Sequence, residues 1–276
     1  MLFRSVRDAR TGEPITGLPL GIFASHAGIG AAETDANGRY RGVFSGNGPS
    51  ISVYTYAHGR SQWPERYLSA ARQFSDARES GEIIADFDIQ RGVVVSGRVL
   101  ESGTGRPIVS APRNYCHDKA PSPLRAGFVY YFPLSTNSAL RGTPTGLFFE
   151  GVLAGEAYAP QAEIDGDGRF EIAVPPGPGV LLIQAKPGLP MGYDESIAWK
   201  SDKLHDLFPY APLTARAKND GAPKGDTQSL SGYAGPIPLA TYHAYRVINP
   251  AADAAALDVE FTVPRAPSHL RPNQGL

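Results

Sequence analysis

Apolar residues in this chain come in short runs, seldom longer than seven positions, and Gly, Pro, Asp or Asn separates one run from the next. In Gly168–Val174 the side chains of Phe170, Ile172 and Val174 alternate with smaller or polar ones, the two-residue period of a strand with one face buried. Val93–Leu100 is rich in β-branched residues and ends at the turn former Ser102-Gly103-Thr104-Gly105. Pro175-Pro176-Gly177-Pro178-Gly179 stops one strand before Val180–Ile183 starts the next. Arg39–Phe44, Gly46–Pro49 and Ile51–Tyr54 repeat that order earlier in the chain, so the two are read as equivalent hairpins. The expected apolar faces are Val43, Ile51, Val53 and Phe87 in one body, and Val99, Phe170, Ile172, Leu182 and Phe261 in another. One stretch, residues 65–80, lacks Gly and Pro and places Tyr67, Leu68, Ala71 and Phe74 at helical spacing, which predicts one short amphipathic helix.

Three motifs recur in the same order. Val6–Ile15, VRDARTGEPI, returns as Val99–Ile108, VLESGTGRPI; Thr34–Tyr40, TDANGRY, returns as Ile164–Phe170, IDGDGRF; and Ala85–Arg91, with Phe87, returns as Val259–Arg265, with Phe261. The spacing between motifs is wider in the second copy. The predicted organisation is therefore a module at 1–91, a second at 92–265 with insertions near 113–160 and 186–238, and a flexible tail at 266–276. At 276 residues each module can bury its own core. The fold class expected is all-β, two immunoglobulin-like or prealbumin-like antiparallel β-sandwiches in tandem.

The order of these motifs resembles the carboxypeptidase regulatory-like family of β-sandwich modules. Thr11, Gly12, Pro14, Thr34, Asp35, Asn37, Gly38, Arg39 and Tyr40 carry the resemblance in the first copy. In the second it rests on Gly97, Val99, Thr104, Gly105, Pro107, Asp165, Asp167, Gly168, Arg169, Phe170, Pro176 and Gly177. The runs Gly92–Val99 and Pro175–Gly179 are similar to the multi-module versions of planctomycete-type bacterial proteins. Both copies depart from the family in lacking Gly-Ala after the Pro-Ile pair. The resemblance implies a non-catalytic structural or interaction module, part of a longer array in an envelope or extracellular protein, and an extracytoplasmic location. Residues 1–20 carry Arg4, Arg7, Asp8, Arg10 and Glu13 and no apolar core, so they are not read as a secretory signal.

Charge and chemistry narrow the function. Lys and Arg number 26 against 27 Asp and Glu, so no field of one sign is available to hold nucleic acid. No apolar run approaches the roughly 18 residues of a membrane-crossing helix. Cys116 is the single cysteine and forms no intrachain disulfide. The histidines, His26, His58, His117, His205, His243 and His269, show no zinc spacing, and Gly103-Thr104-Gly105-Arg106 lacks the ending of a phosphate-binding loop. Tyr115, His117, Tyr242 and His243 contain the residue types by which iron enzymes on a related sandwich bind their metal, without a recognisable spacing. Asp194, Glu195 and Asp206 are read as solvated carboxylates in a Gly- and Pro-rich insertion. The turns at Asp35 and Asp165 are read as Asx-Gly hairpin turns, which use the same residues that offer oxygen atoms to calcium; those oxygens are too few for a site.

No cofactor is expected, and no catalytic or metal-binding residue is assigned. The alternatives to a structural module are a carbohydrate-binding module and, less favoured, a metal-dependent enzyme. Contact with a protein or glycan is assigned to aromatic residues of the insertions, Phe148, Phe149, Tyr158, Tyr193 and Trp199. The apolar stretch 142–160 leaves two readings open: extra core folded onto the second module, or an exposed patch.

Overall fold

A computed structural model describes residues 2–24, 27–42, 50–56, 66–75, 84–108, 127–152, 160–185, 231–232, 235–236 and 242–264. The first module contains β1 (Leu2–Asp8), β2 (Pro19–Ala24), β3 (Ala27–Glu33), β4 (Arg39–Gly42), β5 (Ser50–Thr55), β6 (Ala71–Ser75) and β7 (Phe87–Ile89). The second contains β8 (Val93–Glu101), β9 (Gly127–Pro133), helix α1 (Pro144–Val152), β10 (Gln161–Ile164), β11 (Arg169–Val174) and β12 (Gly179–Gln184). It continues through a two-strand ribbon, β13 (Ser231–Gly232) and β14 (Gly235–Pro236), to β15 (Ala244–Ile248) and β16 (Ala256–Val263).

The two modules share one topology. The first pairs β4-β1-β7 in one sheet and β3-β2-β5-β6 in the other; the second pairs β11-β8-β16 and β10-β9-β12-β15. Each strand of one list has its counterpart at the same place in the other. The pairing is antiparallel except for β1 with β7 and β8 with β16, which run parallel because the last strand of each module returns beside its first. The repeated motifs coincide down to individual hydrogen bonds. Val6 N donates to Gly38 O at 2.8 Å, and Val99 N to Gly168 O at 2.8 Å. Ile15 N donates to Val6 O at 3.0 Å, and Ile108 N to Val99 O at 3.3 Å. The motif of the second pair is not a hairpin: β3 and β4, like β10 and β11, belong to different sheets, so this turn is a corner of the sandwich. β4 and β5, and likewise β11 and β12, also cross between sheets rather than pairing.

Val6, Leu18, Ile22, Ile51, Val53, Phe87 and Ile89 fill the first core. Val95, Val99, Val129, Phe170, Ile172, Leu181, Ile183, Phe261 and Val263 belong to the second. Val43 lies outside the described residues. Leu182 is buried, but on the other face of its sheet, with Phe132, Val180 and Tyr242; β12 is apolar on both faces, so alternation cannot show which residues point inward. The helix expected within 65–80 is corrected where the chain is described: Ala71–Ser75 is strand β6, paired with β5, and Tyr67 forms a bridge with Arg91. Satisfying the backbone groups of β5 outweighs a weak helical periodicity. Among the described residues the α-helix lies in the first insertion instead.

Candidate functional site

Asp35 and Asp165 are the residues whose local chemistry most suggested a ligand, and both are engaged by the backbone. Asp35 Oδ1 accepts from Asn37 N and Arg39 N, each at 2.8 Å. Asp165 Oδ1 accepts from Asp167 N at 2.9 Å and Arg169 N at 2.7 Å. Gly38 (φ 69°) and Gly168 (φ 74°) complete the corners in the left-handed region. Each corner thus uses its carboxylate to close a turn. Among the described residues no group of three or more His, Cys, Asp and Glu side chains is placed to hold a metal.

Beside the crossing from the first module to the second, polar interactions of the first module gather on Asp8. Asp8, 1% exposed, lies at the end of β1. Its Oδ1 accepts from Arg10 N at 2.8 Å and Thr11 N at 3.2 Å, which forms the turn after the strand. Its Oδ2 accepts from the Tyr67 hydroxyl at 2.9 Å and Arg91 Nε at 2.7 Å, with Arg91 Nη2 at 2.6 Å. Burial acts to raise the Asp8 pKa, but bonds from the Arg10 amide, Arg91, Tyr67 and the Thr11 amide outweigh it and hold the carboxyl below its ordinary value. The Arg91 guanidinium, 45% exposed, is raised in turn by its bond to Asp8 and also lies over the Tyr67 ring. Backbone bonds extend the clamp: Leu68 N donates to Gln90 O at 2.9 Å, and Gly92 N to Arg66 O at 2.6 Å. A Cβ on Gly92 would meet Leu68 Cδ2 at 2.7 Å and Val174 O at 2.9 Å, so the crossing requires glycine.

Helix α1 contacts both modules. Thr143 caps it, its hydroxyl accepting from Gly146 N at 3.0 Å, and Pro144 occupies the first turn where a missing N–H costs nothing. Asn137 holds the preceding loop: its Nδ2 donates to Pro176 O at 3.0 Å and to Pro178 O at 3.2 Å. Consecutive residues on a helix point about 100° apart, so Phe148 and Phe149 cannot share a face. Phe149 meets Tyr131 of β9 edge-on, with centroids 6.1 Å apart. Phe148 meets Tyr54 of β5 in the first module, 6.2 Å apart at 74°. Ala71, Tyr54 and Tyr56 of the first module pack against the second module's cluster rather than their own.

The aromatic residues singled out in the sequence are therefore divided. Phe148 and Phe149, 1% and 2% exposed, are buried packing residues with no ring face open to a sugar. Tyr158, Tyr193 and Trp199 lie outside the described residues, as do Cys116, Tyr115, His117, Asp194, Glu195 and Asp206. Tyr242 and His243 are buried, and His243 Nδ1 accepts from Ala185 N at 3.2 Å. Sequence reasoning missed Asp8, Tyr67 and Arg91. A signal for two of them was present: aligning the copies sets Asp8 against Glu101 and Arg91 against Arg265, and Glu101 is again buried.

No protein-family model and no curated protein matches the chain. Among solved structures it is similar to the Bacillus anthracis TIE protein, at 9% identity and a TM-score of 0.26, over 96% of this chain and 34% of that one. It is also similar to the shaft pilin SpaA from Lactobacillus rhamnosus GG, at 10% identity and a TM-score of 0.28, over 97% of this chain and 96% of that one. The third is GBS52, the minor pilin of Streptococcus agalactiae, at 10% identity and a TM-score of 0.29, with the same coverage. The chain spans about a third of the length of the first of these. At such TM-scores the likeness assigns no function, and the sandwich fold is read from the chain's own strand pairing.

Proposed function

We propose that this chain is a non-catalytic structural and interaction unit, two β-sandwich modules of the carboxypeptidase regulatory-like kind divided at Arg91 and Gly92, within a larger extracytoplasmic protein. The observation that carries this reading is the use of the motif carboxylates. Asp35, Asp165 and Asp8 each accept two backbone N–H groups that close turns, and the first two occupy the same place in both modules. The motif resemblance supports the family and the extracytoplasmic location. Ligand contact, to a protein or a glycan, is assigned to Tyr158, Tyr193 and Trp199 of the insertions.

The test is turnover by the purified chain on peptide, ester, phosphate and catechol substrates, with and without added divalent metals. The reading predicts rates at background throughout. Turnover that disappears on substitution of a single residue would overturn it.

A further inference from the structure

We infer that α1 is an intramolecular wedge that fixes the angle between the two modules, so that the pair tumbles as one rigid body; this goes beyond the structural role proposed above and does not depend on its family or location. Tandem domains are expected to move relative to one another unless a sizeable apolar interface joins them. Here Ala71, Tyr54 and Tyr56 of the first module pack with the second module's apolar cluster, and α1, which lies against β6, is an element that the repeat does not require. In the first module β2 ends at Ala24 and β3 begins at Ala27. In the second, the equivalent connection between β9 and β10 is long and carries α1.

The helix reaches in both directions. Phe149 enters its own module against Tyr131, while Phe148 rests on Tyr54, on the outward face of the first module's four-stranded sheet. The two rings also meet each other edge-on at 5.6 Å, so movement of one displaces the other. The seat is made for this contact. Tyr54 lies across from Gly21 and Ala71; the space over Gly21 is filled by the Phe23 and Tyr56 rings, which a Cβ there would meet at 2.7 and 2.8 Å, and Phe23 supports the Tyr54 ring at 5.2 Å. The interlock has one direction, because the matching face of the second module already buries Phe132, Val180, Leu182 and Tyr242.

The experiment is backbone ¹⁵N relaxation on the full chain, read separately for amides of β1–β7 and of β8–β16. In the unaltered chain the two sets should give one rotational correlation time. In Phe148→Ser they should separate, each module keeping its dispersed spectrum, and Phe148→Leu should restore much of the common value. Should Phe148→Ser unfold the second module, Tyr54→Ala makes the same cut from the other side and leaves α1 intact. Independent tumbling in the unaltered chain, or common tumbling retained in both Phe148→Ser and Tyr54→Ala, would overturn the wedge.

Discussion

Replacing Asp8 by alanine removes one carboxylate on which a turn, a buried hydroxyl and the Arg91 end of the first module all depend. The Arg10 and Thr11 amides lose their acceptor, a loss comparable to that of a helix cap, about 1 kcal/mol. The Tyr67 hydroxyl, on a residue 6% exposed, loses its bond to Asp8, and a buried donor stripped of its acceptor costs about 1–3 kcal/mol. Arg91 is half in water and can turn outward, so it adds little to the loss. The total is roughly 2–4 kcal/mol. For a domain of 60–100 residues, the size of the first module, each kcal/mol lowers Tm by about 4–8 °C, which gives a fall of roughly 8–32 °C. Calorimetry and urea titration of the variant measure both quantities. Asp8→Asn keeps an amide oxygen for the turn and should lose about half as much. A loss below about 1 kcal/mol in Asp8→Ala would refute the reasoning, because the carboxylate would then be hydrated rather than shared among these donors.

The same residue sets a pH dependence. The Asp8 pKa is lowered by folding, so its contribution is complete above the ordinary value of 3.8 and is lost as pH falls through the lower folded value; Asp8→Asn should flatten the acid limb of a stability profile. Gly168→Ala combines a left-handed backbone with a Cβ 2.6 Å from Val99 O and should cost about 2 kcal/mol or more, as should Gly38→Ala, whose Cβ meets Val6 O at 2.5 Å. Gly12→Ala has the same backbone sign but open space, and denaturant titration should show only about 1 kcal/mol. Phe170→Ala removes a ring that meets Phe261 at 6.0 Å and lies against Gly97, and should destabilise the second module by about 3–5 kcal/mol.

Local chemistry was legible in the sequence and partner choice was not. Asp-x-Asn-Gly and Asp-Gly-Asp-Gly announce tight turns because a carboxylate, a backbone N–H and a left-handed glycine act within five residues. Recurrence of those turns revealed the two modules. Whether a turn joins paired strands or rounds a corner depends on strands far away in the chain, so β3 and β4 read as a hairpin although they belong to different sheets. The same holds for Ala71–Ser75, where the open edge of β5 decides for strand. Phe148 and Phe149 stood out as apolar residues in an insertion, but the division of labour between them follows only from the helix. Asp8 was hidden because its partners, Tyr67 and Arg91, are remote in sequence; the acid that recurs at Glu101 was the only local sign.

The central claim, that one sandwich is built twice with its motif carboxylates closing turns rather than serving a ligand, is tested by melting Asp35→Ala and Asp165→Ala beside the unaltered chain, each with and without calcium. The account predicts that both substitutions lower stability by a similar amount, about 1–2 kcal/mol for the loss of two amide acceptors, and that calcium moves none of the three transitions. A calcium-dependent rise in the Tm of the unaltered chain that either substitution abolishes would contradict it.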